Sequence, residues 1–283
     1  MAILYVVATP IGNLGDLTPR AAEVLRECDL VAAEDTRVTM KLLSHLGISK
    51  PMMSCHRHNE EGKAAPLVER MMAEDLTVAL CSDAGTPAVS DPGQFLVDEA
   101  WAGGVKVIPI PGASAVPTAL SASGFDTRRF AFFGFLPRED KALRQALSEI
   151  GRFGPGSAVV YESPHRIVGL MEEVAEAFPD IRCAVMCDLT KKFERIYRGR
   201  PGEVLNELRE NPNVEKGEYC VVLEMGQPPQ EKPVQPMTCE WAVLDRMLEG
   251  MDLNEACRQV GGQFSRNEIY RAKLRIKKML EEE

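Results

Sequence analysis

Short apolar segments that alternate with helical segments constrain the fold of this chain most strongly. Seven segments have the length of strands, and several are apolar on both faces, as strands in the middle of a sheet are. These predicted strands are Leu4–Ala8, Leu30–Ala33, Thr77–Cys81, Val105–Ile110, Ala158–Tyr161, Cys183–Cys187 and Tyr219–Glu224. Alternation of strands and helices over this length predicts an α/β protein.

Helical patterns fill the intervals between these strands. Thr18 is predicted to cap a helix that begins at Pro19 and buries Ala22, Val24 and Leu25. A second helix is expected to begin near Thr36 and to end at Gly47. Further helices are predicted at about residues 63–73, 94–102, 114–122, 139–150, 164–177 and 202–210.

The chain is expected to divide into four parts. Residues 1–115 and 116–226 are the two predicted α/β domains. The segment G-Q-P-P-Q-E-K-P-V-Q-P begins at Gly226 and has four prolines, so residues 227–237 are predicted to form a stiff linker. Residues 238–283 then form a small helical segment, whose first helix has one apolar stripe at Trp241, Leu244, Met247 and Leu248.

Composition and charge exclude several classes of protein. A net charge of −9 argues against coating of nucleic acid by the whole surface. No apolar run is long enough to span a membrane, and the start of the chain lacks a basic region, so it is read as a strand and not as a signal peptide. The 8 cysteines form no C-x-x-C pair, which favours buried free thiols over a metal site. A cytoplasmic protein without a metal is therefore expected.

Four loops of small residues follow predicted strands, and such loops admit a ligand close to the backbone. In open α/β sheets ligands bind outside the carboxyl ends of the strands, so together these loops predict a ligand site. Their sequences contain no P-loop, no dinucleotide-binding glycine fingerprint and no G-x-S-x-G nucleophile elbow. The loops are A-T-P-I-G-N-L-G-D-L-T (8–18), S-D-A-G-T-P-A-V-S-D-P-G (82–93), P-I-P-G-A-S-A (109–115) and Y-E-S-P-H-R (161–166).

Three of these loops, with A-E-D-T-R (33–37) and H-R-H-N-E (56–60), occur in the order and spacing of a known family. Over about residues 4–224 the chain resembles the ribosomal RNA small-subunit methyltransferase I family, of the tetrapyrrole-methylase-like superfamily. The resemblance implies two α/β domains with S-adenosylmethionine in the cleft between them. It also implies methylation of a cytidine 2′-oxygen in small-subunit ribosomal RNA, on the assembled subunit, by a homodimer.

The resemblance also implies which loop residues bind the cofactor. Those residues are Pro10, Gly12, Asp83, Gly85, Thr86, Ser114, Ala115, Tyr161, Glu162 and Ser163, with the strand near Tyr219–Val221 closing the far side. One motif departs from the family pattern of Arg-Glu-Leu-Thr-Lys, because this chain has Cys187-Asp188-Leu189-Thr190-Lys191. The missing arginine removes an expected phosphate contact at that point.

A ribose hydroxyl is a poor nucleophile, so a base or a strong hydrogen-bond acceptor would assist the transfer. Asp35, His58 and Glu60 are the chosen catalytic candidates, and His56 and Glu194 are further ones. The alternative for Asp35 is a structural role at the N-terminus of a helix. The alternative for His56 and His58 is that they are solvated loop residues without a catalytic role. Arg37, Lys191, Arg195 and Arg198 are candidate RNA contacts, with a solvated charged face as the alternative.

Two other assignments of function stay open at this level. A small-molecule methylase acting on a tetrapyrrole would share the cofactor loops, but it would not need the basic residues between positions 191 and 200. A non-catalytic ribosome-associated protein could keep the cofactor site without turnover. The basic helix at residues 266–278 is either an RNA contact or a packing helix with a solvated face.

Overall fold

The computed structural model of the protein describes residues 1–226 and 238–281. Residues 1–226 form one compact unit, and the C-terminal helices form a second. The predicted linker at 227–237 lies outside the described residues. The first unit contains two five-stranded sheets with helices packed on them, which is the predicted α/β architecture.

The first sheet is entirely parallel, with the strand order β3-β2-β4-β1-β5. Its strands are β1 (Ile3–Val7), β2 (Leu30–Ala33), β3 (Met52–Ser54), β4 (Thr77–Cys81) and β5 (Lys106–Ile110). The helices between them are α1 (Pro19–Glu27), α2 (Thr36–His45), α3 (Glu60–Glu74) and α4 (Gln94–Ala102). Strands β1 and β4 are neighbours in this sheet, and the chain leaves them in opposite directions. It runs from β1 towards β2 and from β4 towards β5, so β1 and β4 lie at a topological switch point.

Helices cover both faces of this sheet. Successive side chains of each strand point to opposite faces, so each strand packs against helices on both sides. Val78 and Leu80 of β4 pack with α3 and α4, whereas Ala79 and Cys81 pack with α1 and α2. The Thr18 hydroxyl accepts a hydrogen bond from the amide of Ala21, which confirms the predicted helix cap.

The second sheet is mixed, with the order β6-β7-β10-β8-β9. Its strands are β6 (Phe130–Phe135), β7 (Gly156–Glu162), β8 (Arg182–Cys187), β9 (Arg195–Gly199) and β10 (Tyr219–Met225). Helix α5 (Ala115–Ser123) connects β5 to β6. The other helices of this part are α6 (Asp140–Arg152), α7 (Ile167–Ala177) and α8 (Pro201–Glu210). Helix α5 packs against one face of the sheet, and α6, α7 and α8 cover the other face.

Three strands are missing from the sequence prediction: β3, β6 and β9. Strand β9 lies within the stretch that was interpreted only as a basic run. Its residue Tyr197 is buried in the core, whereas Arg195 and Arg198 lie on an edge strand.

The described part of the C-terminal unit has three α-helices, α9 (Cys239–Leu248), α10 (Leu253–Gln259) and α11 (Arg266–Glu281). The predicted apolar stripe on α9 is wrong at both ends, because Trp241 is 60% exposed and Leu248 is 83% exposed. Val243 is fully buried instead, since α10 and α11 pack on the face of α9 that carries it.

Two further findings concern the whole described chain. Among residues 1–226 and 238–281, no helix is long and apolar enough to cross a lipid bilayer. All eight cysteines are buried free thiols, as predicted, and their pKa values are raised by burial at positions such as Cys81 and Cys220.

Candidate functional site

The loops that follow the two central strands of the first sheet are joined to each other. The amide of Thr9 donates to the carbonyl of Gly85 over 2.8 Å, and the amide of Gly85 donates back over 3.0 Å. Gly85 has φ +81°, a left-handed conformation that a residue with a side chain rarely adopts. This bridge fixes the position of both loops at the carboxyl edge of the sheet.

A cavity of about 340 Å³ opens beside this bridge. Segments from both sheets line it, and most lining residues near the bridge are small. The lining residues are Ile11, Ala84, Gly85, Thr86, Val89, Ser90, Asp91, Ser114, Ala115, Phe135, Tyr161, Glu162, Ser163, Pro164, Met186, Leu189, Glu218, Tyr219 and Cys220. All four loops predicted to form a ligand site therefore meet at one cavity.

Seven of the ten predicted cofactor residues line this cavity: Gly85, Thr86, Ser114, Ala115, Tyr161, Glu162 and Ser163. Pro10, Gly12 and Asp83 do not line it. Ile11 lies between the first two and faces the cavity in their place. The structure thus brings together residues that are up to 78 positions apart in the chain, from Gly85 to Ser163.

The charge of the lining is acidic. Asp91, Glu162 and Glu218 are its charged side chains, and no lysine, arginine or histidine of the described chain is among the lining residues. An acidic, small-residue cavity stabilises a cationic ligand and disfavours a polyphosphate.

Glu162 is the most buried of these acids, with an exposed fraction of 2%. One carboxylate oxygen, Oε1, accepts hydrogen bonds from the amide and the hydroxyl of Ser163, over 2.7 and 3.2 Å. The other oxygen, Oε2, is buried without a hydrogen-bond partner in the described chain and lies 3.5 Å from Nη2 of Arg166. The ion pair with Arg166 compensates part of the charge of this buried carboxylate.

Asp91, which the sequence analysis did not select, is the second acid in the cavity. Burial is the largest cause that raises its pKa to about 6, and the nearby Glu34 carboxylate adds to the effect. A hydrogen bond with Ser82 acts in the opposite direction. Asp91 belongs to the loop 82–93 that was predicted to bind a ligand, but nothing in the residue spacing distinguishes it from Asp83.

Asp83 belongs to a neighbouring acidic network and does not line the cavity. Its Oδ1 accepts from the amide of Asp35 over 3.0 Å, and its own amide donates to Oε2 of Glu34 over 3.2 Å. Burial raises the pKa of both Glu34 and Asp83. This network joins the carboxyl ends of β2 and β4.

The predicted catalytic candidates lie outside the cavity. Asp35 caps α2 and pairs with Arg37 over 2.5 Å, and hydrogen bonds from Arg37 lower its pKa to about 2. Glu60 is 6% exposed, and its Oε2 accepts from the amide of Gly93 over 2.5 Å. His58 is an exposed loop residue, while Nε2 of His56 lies 3.0 Å from the side-chain nitrogen Nδ2 of Asn59.

Gly12 marks a close approach of the two α/β parts. A Cβ atom on Gly12 would lie 2.5 Å from Cγ of Lys191, so only glycine fits without a shift. Lys191 in turn pairs with Asp188 over 2.7 Å and with Glu218 over 2.9 Å. Cys187, where the family motif departs, is buried in β8. Lys191 therefore lies at the rim of the cavity, held by two acids.

The other three predicted RNA contacts, Arg37, Arg195 and Arg198, have different partners within the chain. Arg198 donates to the carbonyl of Ser123 over 2.7 Å and lies over the ring of Phe125, while Arg195 donates to Asn211 over 3.2 Å. The side chain of Arg37 is 85% exposed beside Asp35.

Comparison with known proteins places this geometry in a family. Residues 3–205 match the model of the tetrapyrrole (corrin/porphyrin) methylases. Ribosomal RNA small subunit methyltransferase I of Synechocystis sp. is 39% identical over 280 residues, which is 98% of this chain and 99% of that protein. The protein of the same name from Haemophilus influenzae is 40% identical over 271 residues, 95% of each chain.

Solved structures support the fold. Diphthine synthase aligns with a TM-score of 0.60 and 18% identity, over 79% of this chain and 90% of that one. Uroporphyrin-III C-methyltransferase from Thermus thermophilus, complexed with S-adenosylhomocysteine, aligns with a TM-score of 0.53 and 20% identity, over 79% and 97%. These findings confirm the predicted fold class and the resemblance read from the motifs. The chain belongs to the tetrapyrrole (corrin/porphyrin) methylase family and, within it, to the ribosomal RNA small subunit methyltransferase I family.

Proposed function

We propose that this chain transfers a methyl group from S-adenosylmethionine to the 2′-oxygen of a cytidine in small-subunit ribosomal RNA. The observation that carries the proposal is 39% identity along 98% of the chain to a protein named for this class of reaction. The acidic cavity supports the choice of cofactor. We further propose a homodimer that acts in the cytoplasm on the assembled small subunit, as the family resemblance implies.

The residues of the cavity fit this cofactor. S-adenosylmethionine carries a sulfonium and an ammonium charge, and carboxylates in the lining favour such a cation. Glu162 and Glu218 are already paired with Arg166 and Lys191, so Asp91 is the lining carboxylate without an ion pair in the described chain. The backbone of Glu162 and Ser163 borders the cavity, and the Glu162 carboxylate is held by Ser163 and Arg166. Gly85, Ser114, Ala115 and Ser163 leave room beside the backbone for the nucleoside. When bound, S-adenosylmethionine supplies an electrophilic methyl group on its sulfur.

Asp91 is the proton acceptor that we propose for the ribose hydroxyl. Its carboxyl group lines the cavity, and a pKa of about 6 leaves it ionised at neutral pH yet more basic than an ordinary aspartate. In this assignment Glu60 positions the loop that carries Asp91, because its carboxylate holds Gly93.

Phe135 provides a surface for the base of the acceptor nucleotide. Its side chain is 59% exposed, lines the cavity, and meets Tyr161 edge to face with ring centroids 5.7 Å apart. An exposed aromatic ring beside a cavity stacks on an unpaired RNA base, and such stacking is the usual way in which proteins hold single-stranded nucleotides. Arg37, Lys191, Arg195 and Arg198 remain the proposed phosphate contacts.

The test supplies radiolabelled S-adenosylmethionine to small subunits that lack the native modification, and in parallel to their RNA stripped of protein. The proposal predicts label in the RNA and a higher rate on the assembled subunit. Gly85→Trp serves as a control that fills the cavity. Cofactor binding without label in either RNA would contradict the proposal and would favour a non-catalytic or tetrapyrrole-related role.

A further inference from the structure

The C-terminal unit contains a cleft of its own. It lies along α10 and α11 and has a volume of about 410 Å³. Seven side chains line it: Asn254, Cys257, Arg258, Arg266, Ile269, Tyr270 and Lys273. Ile269 and Cys257 form its floor, since Cys257 is buried in the core of the unit and Ile269 packs against that core.

The charges of this unit are separated. Residues 238–283 contain 8 basic and 9 acidic residues, so the segment as a whole carries almost no net charge. The cleft nevertheless has three basic residues and no acidic one among its described lining residues. The separation creates a local positive potential on a nearly neutral segment.

Four acidic side chains of the unit have partners of their own. Glu240 pairs with Arg275 over 2.8 Å, and Glu249 pairs with Arg246 over 2.7 Å. Asp252 caps α10; backbone hydrogen bonds from Glu255 and Asn254, and then the nearby charges of Arg258 and Lys273, lower its pKa. Glu268 accepts hydrogen bonds from Ser265 at the start of α11. Within the described chain, the side chain of Arg266 forms neither a hydrogen bond nor an ion pair, so its guanidinium is available to a partner.

An exposed aromatic ring lies between the charges. Tyr270 is 64% exposed and lines the cleft, although the same helix buries Ala272 and Ile276 in the core. Arg266 lies four residues before Tyr270 and Lys273 three residues after it, so all three lie on one face of α11. A ring with a cation on each side can stack on a base while the cations bind the flanking phosphates.

We propose that this cleft binds single-stranded RNA, with backbone phosphates on Arg258, Arg266 and Lys273 and a base on Tyr270. Charge complementarity selects a polyanion as the occupant, and the aromatic ring selects RNA over an acidic peptide. RNA binding at this cleft does not require methyl transfer. It therefore goes beyond the proposed function and can be tested separately from it.

The chain offers a matched pair of variants for the test. Arg266 and Arg271 lie on the same helix, and both are exposed. Neither side chain forms a hydrogen bond or ion pair within the described residues, but only Arg266 lines the cleft. Binding of a fluorescent single-stranded RNA oligonucleotide to the full chain, without cofactor, is measured over a salt series. Arg266→Gln is expected to weaken binding about threefold to tenfold and to reduce the salt slope by about 0.7. Arg271→Gln is expected to change neither.

Tyr270 gives a second, independent comparison. Tyr270→Ala is expected to weaken binding about tenfold at unchanged salt slope, whereas Tyr270→Phe keeps the ring and the affinity. Equal losses for Arg266→Gln and Arg271→Gln would overturn the proposal, because they would indicate a diffuse charge effect. Absence of RNA binding by the unmodified chain, or equally strong binding of polyglutamate to the cleft, would also overturn it.

Discussion

The amide nitrogen of Gly93 donates a hydrogen bond to Oε2 of Glu60 over 2.5 Å. Glu60 is the first residue of α3, and Gly93, with φ +123°, immediately precedes α4. One buried carboxylate therefore fixes the end of the loop 82–93, which carries Gly85 and Asp91. A glutamate of another helix thus anchors the loop that contributes Gly85 and Asp91 to the cavity wall.

Removal of this carboxylate should loosen the loop without removing a group from the cavity. Glu60→Ala leaves the buried amide of Gly93 without its acceptor, and we expect a loss of about 1–3 kcal/mol in the free energy of unfolding. Cofactor affinity, measured by calorimetry, should fall as well. Glu60→Gln keeps an acceptor oxygen and should restore much of both. A catalytic role for Glu60 would instead leave affinity intact and make glutamine as poor as alanine in methyl transfer.

A pair of glycines separates backbone strain from cavity shape. Gly85 and Gly47 both have left-handed φ angles, +81° and +66°, so alanine at either position should cost about 1–2 kcal/mol of stability. A Cβ on Gly85 would lie 3.4 Å from Ile11 at the cavity wall, whereas a Cβ on Gly47 meets nothing within 4 Å. We expect only Gly85→Ala to weaken cofactor binding. Equal affinities in the two variants would show that the bridge at Gly85 has no part in the site.

Substitution of Asp91 should lower the methyl transfer rate without lowering the stability of the fold. Its pKa is raised to about 6 from 3.8, so between these values the folded protein holds a proton that the unfolded chain has lost. The contribution of Asp91 to folding stability therefore falls as pH rises through this window, and it stays unfavourable above it. Asp91→Asn should be at least as stable as the unmodified protein at about pH 8.

The same variant should lose about 100-fold or more in methyl transfer, because asparagine accepts no proton. In the unmodified protein the transfer rate should decline as pH falls through about 6. A pH series of transfer rates and thermal unfolding curves checks both effects. Retention of full activity by Asp91→Asn would exclude Asp91 as the proton acceptor.

Phe135 and Phe193 form a matched pair for the acceptor side of the cavity. Both rings are strongly exposed, at 59% and 73%, but only Phe135 lines the cavity. Phe135→Ala should raise the KM for the small subunit about tenfold, given the usual contribution of base stacking, and should leave cofactor affinity nearly unchanged. Phe193→Ala should alter neither. A similar rise in KM for both variants would indicate general apolar contact with the subunit.

The strands that could be predicted are mostly those in the middle of the two sheets. Strands such as β2, β4 and β8 have neighbours on both sides, so they are continuous apolar runs. The missed strands β3, β6 and β9 are all edge strands. An edge strand pairs on one side only, so polar residues such as Arg195 and Arg198 are tolerated there and the periodic signal is lost.

The candidate site was predictable where the backbone determines it and less so where side-chain direction does. Small residues such as Gly85 and Ser114 could be located from the loops alone. The choice between Asp83 and Asp91 could not, because both follow serine in the same loop. Only tertiary contacts turn Asp83 towards Asp35 and place Asp91 in the cavity.

The most direct test of the account follows the fate of the transferred methyl group. Small-subunit RNA labelled by the enzyme is digested in alkali, which cannot cleave next to a nucleotide whose 2′-oxygen is methylated. The account predicts label in an alkali-resistant dinucleotide that contains cytidine, in amounts that fall with Gly85→Trp and Asp91→Asn. Label recovered in mononucleotides would mean methylation of a base and would contradict the account.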